Sequence, residues 1–259
     1  MNDAITKSSV YGPVRSWRLG TSLGIDVLCV DSICSFQCIY CQLGKIHQVT
    51  SKRNIFVPTK KVLGDLRRTD WQKADVITFS GSGEPTLAAN LGEIIEKVKD
   101  LTHKPIVILT NSSLLHLPKV RSELKHADKI FCKLDAWNKE TLRRFDRPEQ
   151  NVTLEKIITG IHHLRNEFDG FLAIQTMILR PLNDFEIEEL AEIYRSIKPD
   201  EVQLNLPNRP IPKDYFVETR GNEVEVNESF TKLKTISRDE LEQIRQKLAQ
   251  LTHLPIITK

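Results

Sequence analysis

Six apolar runs recur along the chain, each followed by a stretch patterned for a helix or a loop: LGIDVLCV (23–30), ADVITFS (74–80), PIVILT (105–110), KIFCKLDA (129–136), GFLAIQTMIL (170–179) and DEVQLNL (200–206). Runs that are apolar at nearly every position suit strands covered on both faces. Between them, Leu154, Ile157, Ile158, Ile161 and Leu164 mark one buried helical face. Residues 184–197 and 237–251 repeat that pattern, and Ser237 with Glu240 has the spacing of a capping box. Strand–helix alternation predicts an α/β domain with a parallel sheet, either doubly wound or a partial barrel. Functional loops then gather at the carboxyl ends of the strands. Residues 1–20, broken by Gly12-Pro13, and 207–235, with Pro207, Pro210 and Pro212, leave the rhythm. Both are expected as irregular parts of one domain, 1–259, and as a docking surface for a macromolecule.

No run of about 18 apolar residues occurs, so no spanning helix is expected. The first residues lack the apolar core of a signal peptide. Both point to the cytoplasm and to no membrane partner, and reduced cysteines there read as metal ligands rather than disulfides. Residues 1–70 hold ten Lys/Arg against five Asp/Glu, whereas the rest hold 27 against 29. That bias fits a solvated basic face or a phosphate-bearing partner.

Three of the five cysteines lie in CSFQCIYCQLG (34–44). Cys29 and Cys132 fit buried strands, but three thiols in one polar loop suit zinc, Cu(I) or an iron–sulfur cluster. Zinc would need a fourth ligand, and His47 completes a Cys3His set with Cys34, Cys38 and Cys41. A [4Fe–4S] cluster held by three cysteines keeps one iron open. In FSGSGEPTL (79–87), Gly81 and Gly83 allow close backbone approach, Glu84 offers a carboxylate for an ammonium and Pro85 stiffens the turn. Lys133 and Asp135 share one face of a strand and are costly to bury uncompensated, which places them at a site facing the sheet's mouth. Gln175, Thr176, Gln203, Asn205 and Arg209 are assigned to the same cavity. His162 and His163 belong to a surface helix, and Trp17, Trp71 and Trp137 show no stacking pattern.

The Cx3Cx2C loop, with Tyr40 before its last cysteine, resembles that of the radical S-adenosylmethionine (SAM) superfamily. The 79–87 turn resembles the family's GGEP element, and ILTNSS (108–113) resembles its Thr-Asn-Gly strand end with Ser112 in place of glycine. The resemblance implies a partial (β/α)6 barrel in which Cys34, Cys38 and Cys41 ligate a [4Fe–4S] cluster. It implies SAM held by Tyr40, Gly81, Ser82, Gly83, Glu84 and Asn111, the last at the ribose. Lys133 and Asp135 become catalytic candidates contacting the SAM carboxylate or the substrate. Reductive cleavage of SAM then yields a 5′-deoxyadenosyl radical for hydrogen abstraction, with the electron coming from flavodoxin or ferredoxin.

Within the superfamily, YGPVRSWRLGTSLGIDV (11–27), the KLDA strand and Arg147-Pro148 resemble a small prokaryotic group classed beside the wyosine-base synthetases, which modify tRNA. The chain departs from true wyosine synthetases: cysteines for a second cluster are missing, and Gln42-Leu43 follows Cys41 where a Trp-Arg pair is usual. Three readings follow: a radical SAM enzyme acting on tRNA, an activating enzyme acting on a protein glycine, and a non-catalytic zinc-stabilised binding module.

Overall fold

A computed structural model describes residues 7–29, 32–216 and 229–258. The chain begins with an antiparallel hairpin, β1 (Val10–Ser16) against β2 (Gly20–Ile25), with a register shift between Tyr11 and Val14. The segment expected to be irregular therefore carries a strand. Gly12 takes φ +101° at the irregularity, and Pro13 lacks the N–H that a regular ladder would use.

Two short strands, β3 (Ile33–Cys34) and β4 (Gln48–Val49), then frame the cysteine loop. From there the chain alternates: α1 (Thr59–Arg67), β5 (Val76–Phe79), α2 (Leu91–Thr102), β6 (Ile106–Thr110), α3 (Pro118–Leu124), β7 (Lys129–Lys133), α4 (Lys139–Phe145), α5 (Leu154–Glu167), β8 (Phe171–Met177), α6 (Asp184–Ile197) and β9 (Glu201–Asn205). The small pair β10 (Ile211–Pro212) and β11 (Phe230–Thr231) precedes α7 (Arg238–Thr252) and β12 (Ile256–Thr258). The main sheet runs β1-β2-β5-β6-β7-β8-β9-β12, and every pairing from β2 onward is parallel. The six expected strands are all present, joined by β12 as a seventh parallel strand. The sheet is open between β1 and β12, an α/β partial barrel. Segment 217–228, part of the stretch expected to be irregular, lies outside the described residues.

The capping box at Ser237 and Glu240 is formed, and Asn183 with Glu186 makes another at the start of α6. Ile157, Ile161 and Leu164 of α5 are buried as their spacing required. Among the described residues no helix is long and apolar enough to cross a membrane.

The hydrophobic core has two parts. The larger lies between the sheet's outer face and the helices. The smaller is a plug on the inner face, where Val76, Val107, Phe131 and Ala173 meet Leu19, Leu109 and Phe171. Beyond that plug the inner positions turn polar: Ser22 pairs with Thr78 at 2.6 Å, and Gln175 donates to Gln203 at 2.9 Å. A parallel sheet covered on both faces would stay apolar throughout. The change of character marks where the interior opens into a site.

Candidate active site

Strand β2 stops at Ile25, earlier than its apolar run suggested, because Asp26 turns the chain. Its Oδ1 accepts the Leu28 and Cys29 amides at 3.0 and 3.1 Å, while Oδ2 accepts the Ser82 amide at 3.1 Å and the Ser82 hydroxyl at 2.5 Å. One carboxylate thus ties the entrance of the cysteine loop to the turn after β5. The two segments also pair like strands: the Ile33 amide donates to the Ser82 carbonyl at 2.9 Å, and the Glu84 amide to the Ile33 carbonyl at 3.1 Å. Gly83 is required for this approach. It sits at φ +153°, and a Cβ there would lie 1.7 Å from the Ile33 carbonyl oxygen.

Glu84 is turned inward, and its carboxylate does not project into open space. At 2% exposure, it accepts from the Thr86 amide (3.0 Å), the Thr86 hydroxyl (2.6 Å), the Thr110 hydroxyl (2.7 Å) and the Asn111 amide (2.6 Å). Burial raises its pKa, and these donors oppose the rise. Sequence reasoning aimed this carboxylate at an ammonium; the fold uses it to join the ends of β5 and β6. Asn111, 8% exposed, donates to Ser35 Oγ at 2.8 Å and to Cys34 Sγ at 3.4 Å, and accepts from the Ser113 amide at 3.0 Å.

Cys34, Cys38 and Cys41 are half-buried, while Cys29 and Cys132 are fully buried in the core. The three loop thiols share one electrostatic environment. Burial pushes Cys34 up to about 12, the nearby Glu84 charge adds to this, and Cys41 adds further. Burial also raises Cys38 well above the ordinary thiol value, Lys133 opposes it, and Asp146, Cys41 and Cys34 add to the rise. Cys41 is raised by burial against the Leu43 backbone and Lys133. Thiols of this kind stay protonated until a strong electrophile replaces the proton. The donor set fits a [4Fe–4S] cluster: three sulfurs in one loop, with an amide nitrogen from Asn111 and the Lys133 ammonium nearby to hydrogen-bond or balance charge. Among the described residues no three His, Cys, Asp or Glu side chains close around a single point, and the thiolates of a four-iron cluster sit on separate irons. His47, the fourth ligand of the zinc reading, is exposed and meets Tyr215 edge-on at 5.1 Å.

Lys133 and Asp135 come together, with a third member the sequence did not flag. Lys133 Nζ lies 3.0 Å from Asp135 and bonds Asp146, both carboxylates being 1% exposed. The Tyr40 hydroxyl donates to Asp135, whose other oxygen accepts the Met177 amide at 2.9 Å. Asp146 also lies 3.6 Å from Cys38 Sγ. Burial alone would lower the Lys133 pKa, but the two carboxylates carry it well above the usual ammonium value. Lys133 further stacks over the Phe36 and Tyr40 rings, at 4.9 and 5.5 Å. This is a buried charge cluster beneath the cysteine loop, apart from the open cavity.

That cavity, of about 550 Å³, lies inside the sheet beyond the plug. Gly81, Gly83 and Gln42 line the part of its wall contributed by the cysteine loop and the turn, and Gln175, Asn205 and Arg209 line it as expected. Gln203 stands just behind, bonded to Gln175. Thr176 does not face it: Thr176 Oγ1 bonds the Leu134 carbonyl at 2.7 Å and the Tyr194 hydroxyl at 2.6 Å on the helix side. The period of a strand decides this, since neighbours of Gln175 must point the other way. Residues 207–216 lie over the cysteine loop: the Phe216 amide donates to the Leu43 carbonyl at 3.2 Å, Tyr215 reaches Ser82 Oγ at 3.2 Å, and Arg209 bonds Gln42. Sequence reasoning missed Asp26, Asp146, Arg18 and Trp17, all of which border this region. Only Asp26 carried a signal, a lone carboxylate inside an apolar run.

Comparison with known proteins agrees with this geometry. The model for the radical SAM superfamily matches residues 30–193. The UPF0026 protein slr1464 of Synechocystis is 44% identical over 97% of this chain and 96% of its own length. The UPF0026 protein MJ1312 of Methanocaldococcus jannaschii is 35% identical over 80% of this chain and 65% of its own. Among solved structures, SuiB of Streptococcus suis bound to its precursor peptide SuiA superimposes with a TM-score of 0.64 at 16% identity, covering 91% of this chain and 48% of that one. A radical SAM methyltransferase from Sphaerobacter thermophilus gives 0.61 at 16% identity, covering 96% and 67%.

Proposed function

Because this chain belongs to the radical SAM superfamily and to its UPF0026 proteins, we propose that Cys34, Cys38 and Cys41 hold its [4Fe–4S] cluster and that the cavity beside them receives SAM and substrate. It is a radical SAM enzyme, and a cluster and SAM held here would, on receiving one electron from an external reductant, supply a radical able to take hydrogen from an unactivated C–H bond. The protein's own residues do the positioning. Gly81 and Gly83 bring bare backbone to the cavity wall, where the amino group of SAM can be met by peptide carbonyls, and Ser82 between them is buried against Asp26 and fixes the turn. Glu84 fixes the shape of that turn from behind, and Asn111, which holds Cys34, is the residue we assign to the ribose of SAM. Tyr40 and Lys133 sit beneath the loop and balance its charge, with Asp135 and Asp146 as their partners. The 207–216 segment covers the loop and limits access of water and oxygen.

The observation that carries this reading is the single hydrogen-bonded unit formed by the cysteine loop, the GEP turn and Asn111 beside a large polar cavity. The required reductant is assigned as flavodoxin or ferredoxin, and tRNA as the first substrate to try, which the basic N-terminal third supports. Anaerobic incubation of the reconstituted protein with SAM and dithionite, with and without bulk tRNA, tests it. Formation of 5′-deoxyadenosine, raised by tRNA and lost in Cys34→Ala, is expected. No 5′-deoxyadenosine under either condition, with SAM bound, would overturn the reading.

A further inference from the structure

Four arginines, Arg15, Arg18, Arg209 and Arg238, line the cavity, and among its described lining residues there is no Asp or Glu. Two of them have only neutral partners on the cavity wall. Arg18 Nη1 donates to Gln203 Oε1 at 2.9 Å and to Asn205 Oδ1 at 3.3 Å, and Arg209 Nη1 donates to Gln42 Oε1. A guanidinium carries five N–H donors, so most of the hydrogen-bonding capacity of each remains unspent. Glu201, whose charge acts on Arg18, accepts from Gln203 Nε2 at 2.6 Å and does not line the cavity.

The two cations are also close enough to feel one another. Burial lowers the pKa of Arg18, the charge of Arg209 lowers it further, and Glu201 only partly offsets the effect. Burial lowers Arg209 as well, against a smaller opposing contribution from Tyr11. Arginine remains charged through such shifts, so the two side chains repel one another across the cavity wall. Stacking of Arg18 on Trp17, 5.1 Å from the ring centroid, restrains its planar fork. Two preorganised guanidiniums facing one cavity, without a carboxylate between them, form the usual arrangement for gripping an oxyanion in paired charge-assisted bonds.

We propose that the substrate enters this cavity with a phosphate or carboxylate group held between Arg18 and Arg209. The proposal rests on reading this cavity as the substrate chamber, and it names the chemical class of what the chamber takes.

The test is binding rather than turnover. The anaerobic protein, reconstituted with cluster and saturated with SAM, is titrated calorimetrically with inorganic pyrophosphate and separately with citrate. At least one of the two should bind at a single site. Its affinity should fall tenfold or more in Arg18→Gln and in Arg209→Gln, and part of it should return in Arg18→Lys, which keeps the charge. Tighter pyrophosphate assigns a phosphorylated substrate, and tighter citrate a carboxylated one. SAM affinity, measured on the same variants, should hold. The proposal is overturned if neither anion binds, if both Gln variants bind as tightly as wild type, or if SAM affinity falls with anion affinity, since the arginines would then serve the carboxylate of SAM itself. Should Arg18→Gln fail to fold, Arg209→Gln and Arg18→Lys carry the same comparison. Anion binding without 5′-deoxyadenosine would leave this site standing while the radical reading failed.

Discussion

Two polar clusters are buried at the ends of strands that flank β6, and they are satisfied in different ways. At the end of β5, Glu84 is surrounded by four neutral donors, all from within three residues of itself or from the end of β6. At the end of β7, Lys133 is balanced by two carboxylates and covered by two aromatic rings. Neutral donors around one buried charge fix its geometry, and the charge they hold still reaches the Cys34 thiol. A cation set between two anions is held by long-range forces, so it also senses the charge of the adjoining thiols, as the shifts at Cys38 and Lys133 show. The first cluster is a scaffold for the turn at the cavity wall. The second is an electrostatic floor under the metal loop.

This contrast can be broken by substitution. Lys133→Met should have the largest effect, because it leaves Asp135 and Asp146 buried without a cation, at about 3–5 kcal/mol. Urea denaturation of the metal-free protein measures it, and a loss no greater than that of a surface lysine would remove the floor from the account. Gly83→Ala follows, at about 2–4 kcal/mol, since the new methyl meets the Ile33 carbonyl at a backbone angle that side chains resist. It should also cut SAM affinity, which equilibrium dialysis reports.

Glu84→Gln should cost less, about 1–2 kcal/mol, because the amide oxygen keeps some donors while its NH2 faces another N–H. If Glu84→Gln were as damaging as Lys133→Met, the distinction between neutral and charged satisfaction would fail.

An effect of similar size to that of Glu84→Gln lies away from both clusters, at Asp65, 3% exposed in α1. Burial would raise its pKa, but bonds from Lys61, the Ser9 amide and hydroxyl, and Arg68 outweigh that and hold it at about 2. A carboxylate depressed on folding stabilises above its unfolded value near 3.9 and loses that contribution as pH falls toward 2. Wild type should therefore lose about 1–2 kcal/mol relative to Asp65→Asn between pH 5 and about pH 2, seen as converging melting curves.

Much of the fold was legible because its signals are local. Apolar runs, a helical stripe and two capping residues each act within a few positions, and all appear in the structure. Strand β1 escaped notice because Gly12-Pro13 reads as a break, whereas pairing with β2 overrides it at an irregular register. Strand β12 is three residues long and takes its place from α7 and β9 rather than from its own pattern. At the site, the three cysteines and the GEP turn were visible as motifs. The direction of Glu84 was not, since it depends on Thr110 and Asn111, which lie 26 and 27 residues away. Asp146 was hidden for the same reason, and Arg18 because its partners on β9 lie more than 180 residues onward.

Three loop thiols, and not the two buried ones, are expected to hold the iron–sulfur cluster. Anaerobic reconstitution followed by iron, sulfide and zinc analysis of wild type, Cys38→Ala and Cys132→Ala tests it most directly. Iron and sulfide in equal amounts are expected in wild type and Cys132→Ala, and neither in a folded Cys38→Ala. Zinc in place of iron, or a cluster retained by Cys38→Ala, would contradict it.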